Sequence, residues 1–113
     1  MKVSQATTLS PELLEQSRHL GALLARLRVA RGIKQADAAV RAGLSRNTAY
    51  RIERGDPGLA VGQLLRYLGA ISPGASLAAL YAENDPALAA LAARERRLRV
   101  REMSASERDE LNF

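Results

Sequence analysis

Residues 34–55 read KQADAAVRAGLSRNTAYRIERG. This stretch predicts a short helix from Gln35 to about Ala42, with Ala36, Ala39 and Val40 on its inner side. Gly43 ends that helix at a position requiring φ > 0, and Leu44 plugs the space behind it. Ser45 can cap a second helix, Arg46 to about Arg54. A connection as tight as Ala42-Gly43-Leu44-Ser45 does not allow the two helices to pack antiparallel. It leaves the bent arrangement of a helix-turn-helix, in which the second helix offers its N-terminal residues to a DNA major groove.

The outward residues of that second helix have the chemistry for this task. Arg46 can donate two hydrogen bonds to guanine, Asn47 can pair with adenine, and Thr48 offers a methyl to thymine. Arg51 follows on the next turn, within reach of a further base or a phosphate. Lys34, Gln35, Ser45, Tyr50 and Arg54 lie at the edges, where phosphate contacts position such a module.

Outward from this block, Ser10-Pro11-Glu12 is a helix start, and Leu13, Leu20, Leu24 and Leu27 recur at helical spacing. Because Gly21 falls inside, two readings stand: one helix over about 11–31, or a lead-in followed by a helix from about 18. Gly32 is the stop. Downstream, Gly55-Asp56-Pro57-Gly58 is a turn, and residues 60–71 form a helix using Val61, Leu64, Leu65, Leu68 and Ile71. Ser76 caps a further helix carrying Leu77, Leu80 and Tyr81. Asp85-Pro86 starts another that runs to about Arg94. Residues 97–101, Arg-Leu-Arg-Val-Arg, alternate as a strand does while their flanks read helical. Ser104 with Glu107 has capping-box spacing and predicts a last helical turn over 104–111. No internal repeat or low-complexity linker is evident.

Composition agrees with helices. The chain has 113 residues, 47% hydrophobic but only 4% aromatic, so Leu and Ala must fill one modest core. With no cysteine and a single histidine, His19, neither a catalytic dyad nor a metal cluster can be assembled in the usual ways. Glu12, Glu15, Asp37, Glu53, Asp56 and Glu83 show no convergent pattern, so no catalytic residue, metal or cofactor is expected and the chain reads as a non-enzyme. No apolar run approaches the roughly 18 residues of a membrane span, and the N-terminus lacks a signal-peptide core. The net charge of +5 is uneven. Residues 18–66 carry +7, residues 94–101 carry +4, and residues 102–113 carry −3. A charge of that density attracts phosphate backbones, although an Arg-rich solvated surface would have the same composition.

The phrase LRVARGIKQADAAVRAGLSRNTAYRIERG resembles the Cro/repressor-type (XRE) helix-turn-helix family over about residues 18–71. The agreement lies at Arg28, Gln35, Ala39, Gly43, Ser45, Ile52, Glu53 and Gly55. Two positions depart from the pattern: Ala49 stands for a larger aliphatic residue, and Tyr50 occupies a site that is often small. The resemblance implies an all-α, five-helix lambda-repressor-like DNA-binding domain with a C-terminal helical or partly extended extension. It also implies a structural ion pair between Arg28 and Glu53. The expected division is an N-terminal extension over 1–17, the DNA-binding domain over 18–84, and an extension over 85–113. A homodimeric, sequence-specific repressor acting on a double-stranded operator follows, cytoplasmic and at the nucleoid.

Residues 55–71, GDPGLAVGQLLRYLGAI, are similar to the HipB-type antitoxin branch. That resemblance implies, as the alternative, an antitoxin that holds a toxin kinase and represses its own operon. The Leu/Ala stripe of residues 59–91 would supply core and dimer interface. The basic cluster 94–101 reads best as a solvated helix end and a DNA-backbone arm, ahead of a strand paired with its twin. The acidic tail could fold back on that cluster or engage a partner, with Phe113 docking.

Overall fold

In the computed structural model, which describes residues 3–111, every regular element is a helix. A single turn, α1 (Gln5–Thr8), precedes α2 (Pro11–Ala30), α3 (Gln35–Ala42), α4 (Arg46–Glu53), α5 (Val61–Ile71), α6 (Leu77–Ala82) and α7 (Pro86–Leu111). Helices α2–α6 enclose the core, and α7 lies against α2 before running past it.

The starts and stops are set by local chemistry. The Ser10, Ser45 and Ser76 hydroxyls accept from the backbone N–H groups of Leu13, Thr48 and Ala79, satisfying donors that a helix N-terminus leaves free. At α7 the same work is done by Asp85, whose Oδ1 accepts from the Ala87 N–H at 2.9 Å. Gly43 closes α3 at φ +68°, a conformation that a Cβ makes costly.

Helix α2 is one uninterrupted rod of 20 residues, which settles the open reading at Gly21. Gly21 is a point of contact rather than a break. A Cβ there would lie 2.6 Å from both the Gly55 nitrogen and the Ile52 carbonyl oxygen. In return, a Cβ on Gly55, which sits at φ +75°, would lie 2.4 Å from the Arg18 Cα. The backbone of α2 therefore meets the end of α4 with no side chain between them. The Ser17 hydroxyl donates to the Gly55 carbonyl at 2.6 Å across the same seam.

The core is made by Leu24, Leu27, Ala38, Ala39, Ala49, Ile52, Tyr67, Leu68, Ile71 and Leu80, all buried. Full burial of each large side chain among them stabilises by about 1.5–3 kcal/mol. Two expected faces are corrected. Helix α3 turns Ala38, Ala39 and Ala42 inward, while Val40 is 77% exposed, because α3 is gripped between α4 and α5 along its alanine edge. On α5, Val61 and Leu65 are exposed, and Tyr67 takes the central buried position.

The C-terminal segment is corrected as well. Residues 97–101 are helical, with no strand there, and Ser104 lies inside α7 instead of opening a new helix. Alternation over five residues is too short to outweigh helix-favouring Arg, Leu, Glu and Ala on both sides. Since α7 continues as one helix to Leu111, residues 102–111 do not fold back on the basic cluster; Phe113 lies outside the described residues.

The Gly21 seam yields a paired prediction. Gly21→Ala should lower stability by about 3 kcal/mol, because backbone must move to admit the methyl. Gly69→Ala, in α5 with nothing within 4 Å of its Cβ position, should instead raise stability by about 0.5–1 kcal/mol. Urea unfolding of the two variants checks both signs.

Candidate nucleic-acid interface

Helix α4 has only eight residues, so its orientation is imposed by what it packs against. Its inner side is Ala49 and Ile52, both buried, together with Glu53, whose side chain is 8% exposed. Glu53 takes a bidentate pair from Arg28 of α2, Nε to Oε2 at 2.6 Å and Nη2 to Oε1 at 2.9 Å. The third arm of Arg28 donates to the Ile33 carbonyl at 2.8 Å, and the Tyr67 hydroxyl of α5 donates to Glu53. The Arg28–Glu53 pair thus ties α2, α4, α5 and the α2–α3 loop. Hydrogen bonding to Glu53 pushes the Arg28 guanidinium further up, so this cation stays charged at any working pH.

With that side fixed, α4 turns Arg46, Asn47, Tyr50 and Arg54 to solvent, with Thr48 and Arg51 half-buried at the margins. The Ser45 hydroxyl donates to Thr48 Oγ1 at 2.9 Å, so the threonine oxygen is already engaged. Arg51 Nε donates to Asp56 Oδ2 at 2.7 Å, which aligns the guanidinium along the α4–α5 turn. The Gly58 N–H and then Arg51 hold the Asp56 carboxyl below its usual range. Arg54 stacks over the Tyr50 ring at 5.4 Å and donates to its hydroxyl at 2.5 Å. The large residue at position 50 therefore supports a neighbouring cation.

Lys34 is exposed immediately before α3, and Gln35 is half-buried at its first turn. They lie on a different helix end from the α4 row. Two further cations escape the sequence reading. Arg66 of α5 reaches over the turn, its Nη1 lying 3.6 Å from where a Cβ on Gly43 would be, and Arg41 is exposed on α3. Helix periodicity alone places Arg66 on a solvated face; its approach to Gly43 depends on the packing of α5 against α3. Among the described residues no group of His, Asp and Glu is placed to hold a metal ion, and no helix is long and apolar enough to cross a membrane.

Tyr67 offers a pH test of the buried junction. Burial, and then its bond to the Glu53 carboxylate, push the Tyr67 hydroxyl far above its ordinary value of about 10. The neutral phenol is the form the fold favours, so its stabilising contribution is complete below about pH 10 and is lost as pH rises beyond that. Tyr67→Phe should cost about 2 kcal/mol at pH 7. It should also flatten the fall of Tm between pH 9.5 and about pH 11; an unchanged fall would place the titration elsewhere.

Comparison with protein families matches a helix-turn-helix domain over residues 19–80, which spans α3, α4 and the helices that brace them. No curated protein and no solved structure gives a match. The matched segment covers more than half of the chain and includes both the turn at Gly43 and the row Arg46, Asn47, Tyr50 and Arg54. The chain belongs to the helix-turn-helix domain family of DNA-binding proteins.

Proposed function

We propose that the protein is a sequence-specific, homodimeric transcriptional repressor that inserts α4 into the major groove of a double-stranded operator. The observation that carries this reading is the row Arg46, Asn47, Tyr50 and Arg54, exposed on a helix whose opposite face is locked by Ala49, Ile52 and the Arg28–Glu53 pair. Arg46 reads guanine and Asn47 reads adenine. Thr48, its hydroxyl committed to Ser45, offers its methyl to thymine, and Arg51 extends the contacts along the turn. Lys34, Gln35, Ser45, Tyr50 and Arg54 hold the phosphates and set the register. Residues 18–84 carry the DNA contacts and residues 85–113 serve assembly, the two subunits reading half-sites about one helical turn apart. The setting is the cytoplasm, at the nucleoid.

An antitoxin function is the second reading. It is favoured by the exposed Val61 and Leu65 of α5, inside the segment similar to HipB-type antitoxins, which give a protein partner an apolar foothold. Co-purification of the chain with the product of an adjacent gene supports that reading, and a chain with no such neighbour argues against it.

Selection from random duplex DNA tests the main reading. A single consensus with salt-sensitive binding is expected, and recovery of no consensus would sink the proposal. Arg46→Ala should relax preference at one base position at a cost of about 1–3 kcal/mol. Lys34→Ala should weaken all sequences alike and reduce the salt slope by about 1.

A further inference from the structure

Once residues 86–111 are seen as one helix, the sequence from Leu91 shows a seven-residue repeat that the Arg-Leu-Arg-Val-Arg alternation conceals. The three heptads are LAARERR, LRVREMS and ASERDEL. Each begins with an apolar residue, Leu91, Leu98 or Ala105. Each has arginine at its fourth place and an acid at its fifth: Arg94-Glu95, Arg101-Glu102 and Arg108-Asp109. A period of seven keeps these residues in one lengthwise stripe, as in helices that pair along a seam.

The first heptad of the stripe is already used within the chain. Leu91 is buried, and Glu95 accepts from Arg26 of α2 at 2.8 and 2.5 Å. Beyond it the stripe is uncovered at Leu98, which is 54% exposed, and at Arg101, Glu102 and Ala105. The radius of gyration of 17.8 Å, against about 13 Å for a compact domain of this length, reflects that projection. The same face that docks on α2 thus runs on into solvent.

We propose that the distal part of α7 pairs antiparallel with α7 of a second copy of this chain. The charge order selects both partner and direction. Residues 94–101 carry +4 and residues 102–113 carry −3, so an antiparallel pair sets each basic block against an acidic one. A parallel pair would set like blocks together and bring Arg101 against its own counterpart. Antiparallel pairing places each arginine beside an apolar position and the acids flanking it, where its stem packs and its head meets a carboxylate. A two-fold contact must be self-complementary, and this charge order is. The inference supplies the dimer contact of the repressor reading, yet it concerns the chain without DNA, so the two fail separately.

Sedimentation velocity of the full chain without DNA, over about 1–100 μM, is the test, and a concentration-dependent dimer that weakens with salt is expected. Leu98→Asp should raise its dissociation constant at least tenfold. Val100→Asp, equally exposed but on the opposite side of α7, should leave it within twofold. At a concentration where the parent is monomeric, circular dichroism and Tm should match the parent in both variants, since neither residue is buried. Because the chain has no cysteine, Leu98→Cys and Ala105→Cys report direction. A mixture of the two should cross-link with a short bismaleimide more readily than either alone. A monomer throughout, a dimer indifferent to Leu98→Asp, or cross-linking strongest within each single variant would overturn the proposal. So would a monomeric chain whose DNA affinity falls when Arg96 and Arg99 are replaced, which would make the segment a DNA-backbone arm. A chain that dimerises as described but selects no DNA sequence would sink the repressor reading alone.

Discussion

The bidentate contact between Arg28 and Glu53 holds the rest of the structure in place, because it converts an eight-residue helix with little stability of its own into a fixed presenting surface. Both charges are largely withdrawn from water, Arg28 to 16% and Glu53 to 8% exposure, so each depends on the other. Loss of either partner would strand a buried charge at a cost on the order of 3–5 kcal/mol. Tyr67 and the Ile33 carbonyl use the remaining bonding capacity of the pair, which ties the contact to α5 and to the loop that leads into α3. The Gly21–Gly55 approach does the complementary work at the same C-terminal end of α4, where two backbones come closer than any side chain would permit. One contact is directional and the other steric, and together they fix the rotation and depth of α4.

That rotation decides which charges face outward. The basic segment over residues 18–66 is not a uniform cloud: Arg28 is spent on Glu53, Arg51 is drawn to Asp56, and Arg54 is propped on Tyr50. Arg46 and Asn47 stand at the exposed N-terminal end of α4, the end that a helix-turn-helix offers to base edges. Propping of Arg54 reduces the side-chain freedom that a phosphate contact would otherwise have to remove.

Much of the domain was legible because its signals are local. Ser10, Ser45 and Ser76 announce helix starts within three residues of themselves, and Gly43 announces a left-handed stop. What could not be read depended on partners distant in sequence. Gly21 looks like a weakness in a helix until the backbone of Ile52 and Gly55 is known to lie opposite it. Tyr67 was left off the apolar face of α5, and its central burial makes sense only once Glu53 is placed beside its hydroxyl. Val40 was assigned inward because α3 is too short for periodicity to distinguish its two edges, and the alanine edge won by admitting closer packing. In α7, five alternating residues imitated a strand and hid a heptad whose meaning appears only when the helix is traced end to end. At the candidate interface, the residue types at 46, 47, 50 and 54 were readable, whereas the engagement of Arg51 by Asp56 and the approach of Arg66 to Gly43 required the fold.

If α4 is the DNA-reading helix, its outer face should respond to a duplex while its braced inner face does not change. An NMR titration of the uniformly 15N-labelled protein with a duplex obtained by selection tests this most directly. Large shifts are expected at Arg46, Asn47, Tyr50 and Arg54 and at Lys34 and Gln35, with the side-chain signals of Arg28 unmoved. Shifts confined to the arginines of α7, or spread evenly over every exposed cation, would contradict that reading.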